Sequence, residues 1–97
     1  MPKGYWIAQV DVDDFETYKT YIAANAIPFA EFGGRFLVRG GTREVPEGAV
    51  RARTVVIEFP SYAEALSCYN SPRYQAAKAL RDPVSTGDLV IIEGYAG

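Results

Sequence analysis

Residues Arg53–Arg81, RTVVIEFPSYAEALSCYNSPRYQAAKALR, decide the fold. The run Thr54-Val55-Val56-Ile57-Glu58-Phe59 is dense in β-branched and aromatic side chains and long enough to cross a small sheet. Pro60 has no N–H to give to a ladder, so it closes that strand. Ser61, with Glu64 three residues on, has capping-box spacing and starts a helix at once. Ser71-Pro72 restarts the helical pattern as N-cap and first helical residue, and Asp82-Pro83 stops it after Arg81. A strand that feeds straight into a bent helix requires other strands beside it and an apolar sheet face beneath the helix.

Working outward, residues 4–12 read as a first strand with apolar side chains on both parities: Trp6, Ala8, Val10 and Val12 alternate with Tyr5, Ile7, Gln9 and Asp11. A strand buried on one side only alternates more cleanly. Asp13 with Glu16 repeats the capping-box spacing, and Phe15, Tyr18, Ile22, Ala26 and Phe29 trace one apolar helical stripe. Pro28 is expected to bend or end this helix near Ala26, with a short further turn before Gly33-Gly34. Arg35–Arg39 is a short second strand, and Thr42 to Ala52, with Pro46 and Gly48 and no apolar period, is a loop. Val84 to Gly87 links the second helical segment to a last strand at residues 88–94.

The order β-α-β-β-α-β implies an α+β, ferredoxin-like sandwich over the single domain 1–97: a four-stranded antiparallel sheet with its helices on one face. Tyr5, Ile7, Val56, Val90 and Ile92, or their neighbours of opposite parity, then face water. Soluble monomers rarely leave several hundred Å² of sheet bare. A homodimer packed through that face is expected.

Composition narrows function mainly by exclusion. The 97 residues contain 48% apolar and 23% charged residues with a formal charge of −2, giving no electrostatic reason to expect nucleic acid or a membrane surface as partner. No apolar run approaches the roughly 18 residues that cross a bilayer, and the start of the chain lacks a signal-peptide pattern, so a cytoplasmic location is expected. There is no histidine and one cysteine, Cys68. That removes histidine-based mechanisms, an internal disulfide and the usual zinc and haem ligand sets. No acidic cluster has EF-hand spacing; neither a metal site nor a cofactor is expected.

Several segments carry a resemblance: Gly4-Tyr5-Trp6, Phe36-Leu-Val-Arg-Gly-Gly41, Val55-Val-Ile-Glu-Phe-Pro-Ser61, Tyr69-Asn-Ser-Pro-Arg-Tyr-Gln75 and Glu93-Gly94. In order and over nearly the whole chain, they resemble the bacterial domain of unknown function 1330 family. The resemblance implies the dimeric α/β-barrel superfamily, in which two ferredoxin-like subunits pack sheet to sheet. It brings no catalytic residue set. Some relatives in the wider superfamily are small oxygenases, isomerases or haem enzymes, and fold alone transfers none of those activities.

Glu58 stands in an apolar strand; facing a barrel interior, its desolvated carboxyl would suit proton transfer. The plainer reading pairs it structurally with Arg35 on the neighbouring strand. In such a sheet the first strand is expected to run parallel beside Arg53–Phe59, which brings Asp11 towards Glu58, and with Gln9 and Arg35 the group could hold a polar ligand; solvated strand ends are the alternative. Arg39 before Gly40-Gly41 could receive an anion, although no helix N-terminus follows and a solvated turn arginine is simpler. Tyr69 and Tyr74 fit a core stripe better than substrate contacts, and Asn25 fits a helix cap better than a ligand group. Cys68 has nothing beside it to lower its pKa. Two functions remain: a homodimer binding a small polar or aromatic metabolite, between helices and sheet or in the barrel, or a cofactor-independent enzyme, isomerase- or monooxygenase-like, using Glu58 or Asp11.

Overall fold

A computed structural model describes residues 2–96. The strands are β1 (Gly4–Val12), β2 (Arg35–Arg39), β3 (Arg53–Phe59) and β4 (Ser85–Glu93); the helices are α1 (Phe15–Glu31), α2 (Tyr62–Asn70) and α3 (Pro72–Arg81). One antiparallel sheet runs in the order β2-β3-β1-β4. The Cα envelope measures 38 × 36 × 17 Å, the thickness of one helical layer on one sheet.

The break between α2 and α3 forms as its sequence requires. Ser61 Oγ accepts from the Glu64 N–H at 3.2 Å. Ser71, extended at φ −68°, ψ 144°, donates its hydroxyl to the Cys68 carbonyl at 2.7 Å and accepts from the Tyr74 N–H at 3.2 Å. One serine thus closes α2 and opens α3.

The first helix departs from expectation in three ways. Its cap is Asp14, not Asp13: Asp14 accepts from the Thr17 N–H at 3.2 Å, while the Asp13 N–H is committed to the Val84 carbonyl at 2.7 Å. Its inward stripe is Tyr18, Tyr21, Asn25, Pro28 and Phe29, whereas Phe15 and Ala26 face out. Pro28 does not end the helix; buried in the last turns, its ring packs into the core, which offsets one lost hydrogen bond. The helix stops at a Schellman motif, with Gly34 N–H to Phe29 O at 2.7 Å and Gly33 N–H to Ala30 O at 3.2 Å. Gly33 has φ 75°, the left-handed conformation that favours glycine.

The sheet brings two further corrections. β1 and β3 pair antiparallel, not parallel, with Tyr5 opposite Glu58 and Val10 opposite Arg53, so Asp11 lies at the far end of the sheet from Glu58. A strand between two parallel crossover-linked neighbours must run against both. β4 begins at Ser85 rather than residue 88, because Ser85, Thr86 and Gly87 pair with Val12, Asp11 and Val10. Their turn-like composition hid a strand that pairing enforces.

The core lies between the helices and the inner sheet face. Trp6 is its centre, 3% exposed, with ring centroids 4.9 Å from Tyr74, 5.1 Å from Phe29, 5.5 Å from Phe59 and 5.8 Å from Tyr69. Its indole Nε1 donates to the Ala65 carbonyl at 2.9 Å. Gly4 can only be glycine here, since a Cβ would meet the Ser61 backbone. Cys68, fully buried in α2, donates to the Pro28 carbonyl at 3.6 Å; burial, with Glu31 adding to it, pushes the thiol up to about 12. The native protein is therefore expected to resist thiol reagents at pH 7–8, with labelling appearing only as the chain unfolds in denaturant. Fast stoichiometric labelling of the native state would overturn this.

On the outer face, Val38, Val56, Ile7 and Val90 stand side by side across all four strands. The parity question is thus resolved in favour of Tyr5, Ile7, Val56, Val90 and Ile92 facing outward. A more polar row, Arg35–Glu58–Tyr5–Ile92, flanks it on one side and Thr54–Gln9–Asp88 on the other. Among the described residues no helix is long and apolar enough to cross a membrane.

Candidate functional site

The candidate site is a partly open cavity of about 80 Å³ between α1, α3 and the inner sheet face. It exists because the sheet floor is shallow there: Ala8 and Gly87 lie between the larger Val10, Val55 and Leu89. α1 contributes Tyr18, Tyr21 and Asn25, and α3 contributes Tyr74 and Arg81. Arg39 and Arg53 complete the wall from β2 and β3.

Arg39 reaches this wall through a bulge. Phe36 is opposite Ile57, but Val38 is opposite Val56, so Leu37 is an extra residue in β2. Without it Arg39 would share the outer face with Arg35. With it, Arg39 joins Phe36 on the inner face, its guanidinium carbon 4.1 Å from the centre of that ring.

The polar groups form a linked set. The Tyr21 and Tyr74 hydroxyls are 3.0 Å apart, Arg81 Nη2 donates to the Tyr74 hydroxyl at 3.4 Å, and the Arg81 guanidinium lies 5.5 Å from the Tyr21 ring centre. Burial raises the pKa of Tyr21, and the neighbouring Tyr74 phenol raises it further. Burial also raises Tyr74 and Tyr18, while Arg53, Arg81 and Arg39 pull Tyr18 back. All three phenols therefore stay protonated at neutral pH and serve as hydrogen-bond donors and acceptors, not as bases. Asp88 also lines the cavity, but its side chain belongs to the outer-face row, where Arg51 Nε holds the carboxylate at 2.9 Å. The walls offer donors and cations in an otherwise apolar setting.

The structure divides the residues singled out in the sequence. Asn25, Arg39 and Tyr74 meet at the cavity. Asn25 is no cap: it is buried in mid-helix. Tyr69 packs against Trp6 and Tyr74 in the aromatic core. Gln9, Arg35, Glu58 and Asp11 lie on the outer face. There Arg35 Nε sits 3.3 Å from Glu58 Oε1, and the Tyr5 hydroxyl donates to Oε2 at 3.4 Å. Gln9 accepts from Thr54 at 2.9 Å. Asp11 anchors the 42–52 loop, accepting from the Ala52 N–H at 2.8 Å and from Arg51 at 3.0 Å; these bonds hold its carboxyl below the usual range. Arg43 ties the loop further, donating to the Arg51 carbonyl at 2.7 Å. Beneath the loop is a second, wider recess of about 610 Å³.

Tyr18, Tyr21, Arg53 and Arg81 are site residues that sequence reasoning did not select. The available signal was the spacing Tyr18, Tyr21, Asn25, which is a helical face if tyrosine and asparagine count as inward residues.

The fold recurs among solved structures at low identity. A protein of unknown function from Rhodopseudomonas palustris superposes with a TM-score of 0.77 at 16% identity, covering 99% of this chain and 85% of its own. SnoaB, a cofactor-independent oxygenase from Streptomyces nogalater, gives 0.66 at 13%, with 100% and 97% covered. A dimeric protein of unknown function with a ferredoxin-like fold from Bacteroides fragilis gives 0.61 at 13%, with 94% and 95% covered. These likenesses bear out the ferredoxin-like α+β fold. No curated protein matches the sequence. Residues 3–95 match the family described as domain of unknown function (DUF1330), the one its motifs resemble, and the chain belongs to that family.

Proposed function

We propose that this protein is a homodimer that binds a small molecule in the cavity between α1, α3 and the sheet. The observation that carries this is the cavity itself: a partly enclosed apolar volume into which three phenols, an amide and three guanidiniums converge. Core packing normally fills such a volume, and here the small Ala8 and Gly87 leave it open. The outer sheet face supports the homodimer. Its aliphatic row crosses all four strands, and the loop that overhangs one edge exposes Val45 and Val50.

Cofactor-independent oxygenation is the second reading, and the likeness to SnoaB supports it. In this cavity such a reaction has neither Glu58 nor Asp11 within reach, since both lie on the outer face beside Arg35 and Arg51. A reaction there would begin with a substrate that arrives ionised, or that gives its proton to solvent while the surrounding donors and guanidiniums stabilise the anion left behind.

Ala8→Leu tests the proposal. Its three added carbons occupy much of the cavity floor. Native mass spectrometry of protein purified from its host is expected to show a bound small molecule on the wild type and none on Ala8→Leu. Overpacking would cost about 1–3 kcal/mol, so circular dichroism should still report a folded chain, and Ala8→Val gives a milder filling. Equal retention of the molecule by all three proteins would place it elsewhere.

A further inference from the structure

We infer that the ligand of this cavity is an anion, a carboxylate or an oxyanion of similar size, received by Arg39, Arg53 and Arg81. The inference rests on the cavity being the binding site and adds the chemical class of what it holds.

Charge balance is the first argument. Three guanidiniums line one small volume, while the carboxylate of Asp88 lies on the outer face and is held by Arg51. Among the described residues neither Arg39 nor Arg53 is in an ion pair, and Arg81 pairs only with the exposed Asp82, at 3.1 Å. Like charges around a half-enclosed volume repel one another until an anion enters.

Placement is the second. The Leu37 bulge turns Arg39 inward, opposite Val55, and Arg53 lies two residues further along the same face of β3. Arg81 approaches from α3 on the other side. All three act on one point, the Tyr18 hydroxyl, where each opposes the effect of burial. Arg39 lies over the Phe36 ring and Arg81 over the Tyr21 ring. Packing against a ring leaves the N–H edge of Arg39 for a carboxylate, whereas the terminal nitrogens of Arg81 already meet Asp82 and Tyr74, so Arg81 contributes charge.

Size bounds the ligand. About 80 Å³ is roughly half of the ~150 Å³ cavity that encloses benzene. The enclosed part therefore takes an acid group with a few carbons, and a larger body must extend through the mouth.

The test compares acids with neutral isosteres at constant ionic strength: benzoate with benzamide, and pyruvate with pyruvamide. Trp6, the single tryptophan, borders the cavity and reports occupancy by fluorescence. Each acid is expected to bind at least about tenfold more tightly than its amide. Arg53→Gln should remove most of that preference without weakening the amide, Arg53→Lys should restore part of it, and Arg35→Gln on the outer face should leave it unchanged. Equal affinity for acid and amide, or a preference that survives Arg53→Gln, would overturn the anion while leaving the cavity as a binding site. No saturable response to any of the four probes from folded protein would overturn both.

Discussion

Val56→Asp is expected to dissociate the proposed homodimer and to unfold much of the chain at micromolar concentration. Val56 is at the middle of the Val38–Val56–Ile7–Val90 row, between Val38 on the edge strand β2 and Ile7 on the central strand β1, and an aspartate there would meet its own symmetry mate or close apolar side chains across a two-fold interface. If the row and its surroundings bury about 500 Å² per protomer, roughly 12 kcal/mol of burial is at stake before association costs. A two-layer chain of 97 residues has little core with which to absorb that loss. Val90→Lys sharpens the test. Val90 is 49% exposed in the protomer, so in a monomer the change should alter stability by no more than about 0.5 kcal/mol. In a dimer it should lower the thermal midpoint by many degrees. Sedimentation velocity and concentration-dependent melting give the readout. A wild-type chain that sediments as a folded monomer, with a midpoint independent of concentration, would show that nothing covers this face.

Trp6→Ala should lower stability by about 3–5 kcal/mol, a large part of the total for a domain of this size. The substitution empties the centre of the aromatic cluster, where Phe29, Phe59, Tyr69 and Tyr74 all meet the indole. It also leaves the Ala65 carbonyl inside α2 without its indole donor. Trp6→Phe keeps an aromatic ring but loses that bond and part of the volume, so about 1–3 kcal/mol is expected. Urea unfolding followed by circular dichroism, at fixed protein concentration, measures both. A loss below about 1 kcal/mol for Trp6→Ala would mean that the cluster closes over the gap. Because Trp6 also borders the cavity, the Phe variant should retain a ligand that Ala8→Leu cannot accommodate.

The amino-acid sequence alone determined the order of elements, the break at Ser71, the stop at Gly33-Gly34 and the Arg35–Glu58 pair. Each depends on chemistry within a few residues or on the short-range logic of a hairpin: a serine beside a proline, glycine in a left-handed turn, opposite charges on adjacent strands. The family was legible because its motifs, from Gly4-Tyr5-Trp6 to Glu93-Gly94, are contiguous stretches of sequence. The cavity was not legible. Its walls are tyrosine, asparagine and arginine, which apolar periodicity counts as outward-facing, so the stripe on α1 was traced through Phe15 and Ala26 instead of Tyr21 and Asn25. Arg39 turns inward only because one extra residue in β2 reverses its parity, and no local signal marks Leu37 as that residue. The first strand is apolar on both sides, so which side met the helices was decided by volume. Trp6 fills the core that Phe29, Phe59 and Tyr74 enclose, and Ala8, two residues along on the same side, is small enough to leave a space beneath Tyr18. Those are properties of several chain segments packed together, and they arise only once the segments meet.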